Sequence, residues 1–205
     1  SHLLGGEGND TYIIDAATFV QGTSAIYIVE RENEGVDLIK AGLSFSLTYY
    51  DHTNTDIAGY VYSTSYDLGS TVDNIENLTL TGVGDFHGYG NGINNVLTGN
   101  AGDNLLDGRA GNDTLIGMGG NDALLGGDGN DTLLVNSNQR AGVNLNQAGA
   151  TNMTGGAGAD VFWMVRGYVG DHASGANQLA ITDFTHGQDI IRFTFTSSQA
   201  TPGTL

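Results

Sequence analysis

Cysteine is absent from these 205 residues, so neither a disulfide nor a thiolate–metal bond holds the chain together. Basic residues are nearly as scarce: six Lys plus Arg stand against 23 Asp plus Glu, a formal charge of −17. Six scattered cations cannot build a phosphate-binding patch, which removes nucleic acid from the partners to consider. Proline occurs once, at Pro202 after Thr201, so there is no Asp-Pro bond that could cleave itself. No apolar run reaches the roughly 18 residues a membrane-spanning helix needs. Helices in general lack support, because no 3.6-residue apolar stripe is sustained. No signal-peptide pattern opens the sequence, and Ser1-His2 looks like a cloning remnant, so the natural start is expected to lie upstream.

Catalytic signatures are missing as well. There is no His-Glu-x-x-His zinc motif and no Gly-x-Ser-x-Gly elbow, and His52, His87, His172 and His186 fall in four separate segments. Aspartates are plentiful, yet a glycosidase pair needs one carboxyl with a raised pKa in an apolar cleft. Glycine-rich loops are expected to offer the reverse setting, so the chain is taken as non-enzymatic.

What is abundant is glycine, with 33 residues, and its placement is ordered. The segment Gly126-Gly127-Asp128-Gly129-Asn130-Asp131-Thr132-Leu133-Leu134 matches in full the pattern Gly-Gly-x-Gly-x-Asp-x-hydrophobic-x, a known calcium-binding signature of parallel β-solenoids. Counting outward in steps of nine or ten residues, the sixth position falls on Glu76, Asp85, Asn94, Asp103, Asp113, Asp122 and Asp131. The eighth falls on Leu78, His87, Val96, Leu105, Leu115, Leu124 and Leu133. This ladder covers 71 to 134, with one extra residue assigned near Asp107-Gly108, and His87 is expected to be a hydrogen-bonded core residue. Detached copies open at Gly5, through Asp10, and at Gly155, through Asp160.

Each position has a physical reason. Glycines permit positive φ and let backbone carbonyls crowd one centre. A hard cation takes about six to eight oxygens at roughly 2.3–2.6 Å, and the sixth-position carboxylate supplies compensating charge. The residues after each loop are too few for a helix and alternate as a strand does. Two nonapeptides then make one coil, so Asp113 and Asp131 are expected on one edge, and Asp103 with Asp122 on the other. Glu76 is better explained as a turn residue of a small β-solenoid.

These repeats resemble the RTX, or haemolysin-type calcium-binding, family. Residues 5 to 40 are similar to its opening segment, with Gly-Asn-Asp-Thr-Tyr-Ile-Ile-Asp leading to Ile28-Val29-Glu30 and Gly35-Val36-Asp37. Residues 74 to 106 are similar to its Asn-Leu-Thr-Leu-Thr-Gly rungs, and 155 to 193 to its closing unit with Ile181-Thr182-Asp183-Phe184 and Gly187-Gln188-Asp189. The resemblance implies an all-β, calcium-bound parallel β-roll with an opening β unit and a closing β cap. It also implies several Ca2+ ions, export by a type I secretion apparatus, and a location outside the cell or at its surface.

The expected ligand set is Asp10, Asp37, Asp103, Asp113, Asp122, Asp131, Asp160, Asp183 and Asp189, with the loop residues Gly108, Gly111, Gly117, Gly119, Gly126, Asp128, Gly129, Gly155 and Gly158. Asp128 occupies a free position of the motif, so its side chain is expected to matter far less than that of Asp131. In the closing unit, Phe184 and Ile190-Ile191 are expected to cover the open end of the roll.

Three regions follow: 1–70, an opening β unit with one calcium loop and a tyrosine-rich insertion; 71–134, the ladder; 135–205, a polar insertion and the closing cap. The insertion carries Tyr49, Tyr50, Tyr60 and Tyr62, which suit a glycan or cell-surface contact. A hairpin covering an edge of the roll is the preferred alternative. Two functional classes remain open. One is a calcium-driven folding and secretion module of a large exported adhesin, toxin or surface protein. The other is the non-catalytic tail of a secreted hydrolase, epimerase or protease.

Overall fold

The computed structural model describes residues 2–14, 27–30, 34–42, 45–46, 74–136, 151–167 and 179–196. Every regular element among them is a strand, and every pairing is parallel. The strands sort by parity. Eight lie in one sheet, in the order β2 (Thr11–Ile14), β4 (Leu38–Ala41), β6 (Asn77–Leu80), β8 (Val96–Thr98), β10 (Thr114–Ile116), β12 (Thr132–Asn136), β14 (Val161–Gly167) and β16 (Ile190–Thr196). Opposite them run β5 (Phe45–Ser46), β7 (His87–Tyr89), β9 (Leu105–Ala110), β11 (Ala123–Asp128), β13 (Thr151–Ala157) and β15 (Leu179–Ile181). β1 (His2–Leu4) and β3 (Tyr27–Val29) pair separately. Parallel neighbours drawn from alternate strands leave one topology, a chain coiling through one strand of each sheet per turn.

The coil length is set by residue spacing. In the repeats the step is 18 residues, as the hydrogen bond from Asp113 N to Asp131 Oδ1 shows. Past the polar insertion it lengthens to 29, yet Thr132 still faces Val161 and Leu133 still faces Phe162. Added residues are accommodated between strands because the sheets fix the register at both ends. Between the sheets a file of apolar side chains runs the length of the ladder. Leu78, Leu97, Leu106, Leu115, Leu124, Leu133, Met153 and Phe162 are wholly buried, each leucine worth about 2 kcal/mol of transfer free energy.

The inward file corrects the sequence register by one residue between 85 and 105. Gly88, Leu97 and Leu106 point into the core, where His87, Val96 and Leu105 were expected; His87 is half-buried, and Val96 is 38% exposed. The extra residue therefore falls in the turn at 81–86 and not at Asp107-Gly108. Val96-Leu97 and Leu105-Leu106 are apolar doublets, so either register puts a hydrophobe inside. Packing decides between them. Gly88 leaves room that the Leu78 and Leu106 Cδ2 methyls fill, and a Cβ there would lie 3.2 and 3.1 Å from them.

The closing residues form the last rung. Ile190, Ile191 and Phe193 belong to β16, the last strand of its sheet, and are 54%, 42% and 61% exposed. They extend the roll by one more coil, because β16 pairs with β14 along its whole length and sets Ile191 against the buried Phe162. Ile181 packs against the core, and Phe184 sets its ring 6.2 Å from that of Phe162.

Candidate metal centres

Turns that lead from the odd sheet to the even one stack their sixth-position residues into a column along one edge. Its members, in coil order, are Asp10, Asp37, Glu76, Asn95, Asp113, Asp131, Asp160 and Asp189. Each carboxylate caps the coil before it. Asp37 Oδ1 accepts from the Asp10 amide at 2.9 Å, Glu76 Oε2 from Asp37 at 2.7 Å, Asp113 Oδ1 from Asn95 at 2.7 Å, Asp131 Oδ1 from Asp113 at 2.8 Å and Asp160 Oδ1 from Asp131 at 2.9 Å. Glu76 is thus a member of the column, doing the job of an aspartate with a longer side chain.

The second oxygen of these side chains is the informative one. Asp10, Asp113, Asp131 and Asp160, together with Asp122 on the other edge, bury an Oδ2 that has no hydrogen-bond partner. Each lies over the first glycine of its own loop. A Cβ on Gly108 would collide with Asp113 Oδ2 and the Gly126 carbonyl; one on Gly126 would collide with Asp131 Oδ2 and the Gly155 carbonyl. Gly117 and Gly155 stand in the same relation to Asp122 and Asp160. At Gly108 and Gly126 the missing side chain leaves a cradle lined by a carboxylate oxygen and a carbonyl from the neighbouring coil, and at Gly117 and Gly155 one faced by the carboxylate oxygen. Leaving a buried carboxylate oxygen unpartnered costs several kcal/mol, and a hard cation removes that cost with the donors it prefers.

Burial pushes the Asp113 and Asp122 carboxyls up to about 7 and Asp131 up to about 6, against the opposing effect of the capping amides. Asp160 is raised for the same first reason. This reverses the expectation that the loops would be unlike an apolar cleft. The carboxylates are buried on purpose of the fold, and they favour either a proton or a cation.

The remaining positions separate cleanly. Asp103 is exposed and belongs to an outer column, where its Oδ1 accepts from the Asn121 amide at 2.7 Å and its Oδ2 from the Asn121 side chain at 3.0 Å; those bonds hold its carboxyl below the usual range. The residue stacked with Asp122 is Asn104, so the expected pairing of Asp103 with Asp122 does not occur. Asp183 gives both oxygens to the Gly155 and Gly156 amides, at 2.9 and 2.7 Å, and Asp189 gives its two to Asp160 and Thr185. Both are amide caps as the structure stands. Asp128 is exposed while its carbonyl accepts from Gly111. Gly129 (φ +136) and Gly158 (φ +146) take left-handed backbone against the carbonyl of the coil before, as Gly111 does, whereas a Cβ on Gly119 would meet nothing. Tyr49, Tyr50, Tyr60 and Tyr62 lie outside the described residues.

Sequence reasoning passed over the asparagines. Asn91, Asn95, Asn100 and Asn104 are buried, and Asn95 and Asn104 take the aspartate position over the first glycine of the loop with an amide in place of a carboxylate. Asn95 Nδ2 donates to the carbonyls of Ile75 and Glu76, and Asn104 Nδ2 to those of Phe86 and to Asn100 Oδ1. An asparagine therefore supplies internally the donor that an aspartate loop must obtain from outside. Glu30 was also passed over as a site residue. It is 1% exposed, accepts a hydrogen bond from the Tyr12 hydroxyl, and its carboxyl is raised by burial, as is the Tyr12 phenol.

Stacked, oxygen-lined loops on a parallel two-sheet coil define a calcium-binding β-roll. The comparison with protein families agrees: a family model described as the RTX calcium-binding nonapeptide repeat matches in four copies, over residues 89–124 and 98–133. Residues 89–133 are thus RTX repeats, which bind several calcium ions. No curated protein matches the chain.

Proposed function

We propose that this chain is a folding module switched by calcium, which stays open where calcium is scarce and closes into a roll once outside the cell, supporting type I secretion and the stability of a large exported adhesin, toxin or surface protein. The observation that carries this reading is the set of buried, unpartnered Oδ2 atoms of Asp113, Asp122, Asp131 and Asp160. A fold that buries carboxylates in this way is opposed by its own charge, and the chain carries −17 of it. Each ion bound only by the folded state adds RT ln(1 + [L]/Kd), about 1.4 kcal/mol at ten times Kd. Modules working outside cells bind calcium at roughly 10⁻⁴–10⁻³ M, which leaves such sites empty in a cytosol. An unfolded chain is what a narrow export channel can pass.

Circular dichroism of the full chain tests the switch. In chelator the spectrum should be mostly disordered, and millimolar calcium should restore the β signal cooperatively. Magnesium should substitute poorly, because it demands a tight octahedron and holds its water. A β spectrum that persists after complete removal of calcium would defeat the reading.

A further inference from the structure

We propose that Asp10, Glu30 and Asp37 together hold one calcium ion that is separate from the repeat sites of residues 89–133 and fills before them. Among the described residues this is where three carboxylates converge, each with a ligand atom within 4.8 Å of the others. An ion at roughly 2.4 Å from each oxygen requires no closer approach than that. Asp10 comes from one coil and Glu30 and Asp37 from the turn of the next, and all lie outside the residues 89–133 that match the repeat family.

Independent support comes from what these oxygens lack. Glu30 is 1% exposed, yet its Oε2 has no partner, and neither has Asp10 Oδ2. Asp10 Oδ2 and the other oxygen of Glu30, Oε1, face the space left by Gly5, where a Cβ would collide with Glu30 Oε1 and lie 2.5 Å from the Tyr12 hydroxyl and 2.6 Å from Asp10 Oδ2. The register explains the extra charge. Leu4 pairs with Val29, so Glu30 stands in line with Gly5, the first glycine of its nonapeptide. A carboxylate thus occupies a glycine position and turns toward the cradle of the coil before it. The aspartate loops Gly108–Asp113 and Gly126–Asp131 put one unpartnered carboxylate oxygen over their glycine; this cradle receives three carboxylates.

Calcium affinity rises with the number of charged ligands, so the ion held here binds more tightly than those in the repeats. It also binds separately. The intervening loops at Asn91–Asn95 and Asn100–Asn104 satisfy their side-chain amides internally and carry no unpartnered carboxylate, so they break the column of ion-requiring positions. The Tyr12 hydroxyl, bonded to Glu30, places a phenol beside the ion as a natural optical reporter.

Calorimetric titration of the full chain with calcium should show a tight phase of one ion and a weaker phase of several. Glu30→Gln should weaken the tight phase at least ten-fold and leave the weak one in place; Asp131→Asn should do the opposite. Loss of the weak phase alone would count against the repeat sites and not against this one. Terbium supplies a second measurement that needs no change at a ligand. The first equivalent, excited through tyrosine, should luminesce in the parent chain, and Tyr12→Phe should remove most of that emission. Unchanged calcium phases in Glu30→Gln, or full first-equivalent emission in Tyr12→Phe, would overturn the proposal and leave Glu30 and Tyr12 as a pair joined by a proton.

Discussion

Asp and Asn differ by one atom, and along this roll that atom decides whether a loop needs a cation. Asn104 uses its amide hydrogens on Phe86 O and Asn100 Oδ1, while Asp122, stacked on it, buries an oxygen with no donor. Asn104→Asp should therefore create a further ion site against Gly99 and the Gly117 carbonyl, which already crowd that position. The variant should bind one more calcium by calorimetry and should lose stability in chelator; unchanged stoichiometry would show that the asparagine loops are not latent sites. The same logic ranks the aspartates. Asp131→Asn should weaken calcium binding about ten-fold or more, since it removes the charge that an ion of this kind requires. Asp103→Asn and Asp128→Ala, at exposed side chains, should shift the calcium midpoint of folding by less than about two-fold.

At the scale of the element, the unit of construction is a coil of 18 residues and not a nonapeptide. One nonapeptide contributes a strand to one sheet only, and its loop satisfies the amide of the residue one whole coil away. Removal of residues 115–132 joins Thr114 to Leu133, which already lies in register with Leu115. That deletion should still fold with calcium, at a higher calcium midpoint because the Asp122 and Asp131 loops go with it. Removal of residues 115–123 should be far worse, since it moves every later strand to the opposite sheet. Calcium-titrated circular dichroism with size-exclusion chromatography checks both. Equal behaviour of the two deletions would rule out the two-strand coil as the cooperative unit.

For the molecule as a whole, protons and calcium compete for the same buried oxygens. Burial raises Asp113 and Asp122 from 3.8 to about 7 and Asp131 from 3.8 to about 6 in the ion-free roll. A carboxyl whose pKa is higher folded than unfolded binds more protons when folded, so its contribution to stability is full below 3.8 and lost as pH rises through 6 to 7. In chelator, the chain should therefore show more β signal at about pH 5 than at about pH 8. With calcium present the direction reverses for binding: the midpoint should climb as pH falls below about 6, because each ion must displace protons. A calcium midpoint that does not move over that range would mean that the buried carboxyls are not the ligands.

Local periodicity was enough to specify the two-nonapeptide coil and the placement of Asp113 and Asp131 on one edge, and the family resemblance it carries implied the all-β parallel roll. Those features depend on glycine, carboxylate and leucine recurring at a fixed spacing, which any reader of the chain can count. The register from 85 to 105 was not countable. Val96-Leu97, Leu105-Leu106 and Asp103-Asn104 are adjacent residues of like kind, and only the width of the space between the sheets chooses which member turns inward. The fate of each carboxylate was likewise out of reach, because it is set by an amide or a side chain from another coil. Asp183 was expected as a ligand, and only the stacked coils show that both its oxygens also accept from the Gly155 and Gly156 amides; the level of Glu30 with Gly5 is likewise set only when β1 meets β3. Spacing within one coil is written in neighbouring residues, whereas satisfaction of a buried oxygen is a property of stacked coils and exists only once they have met.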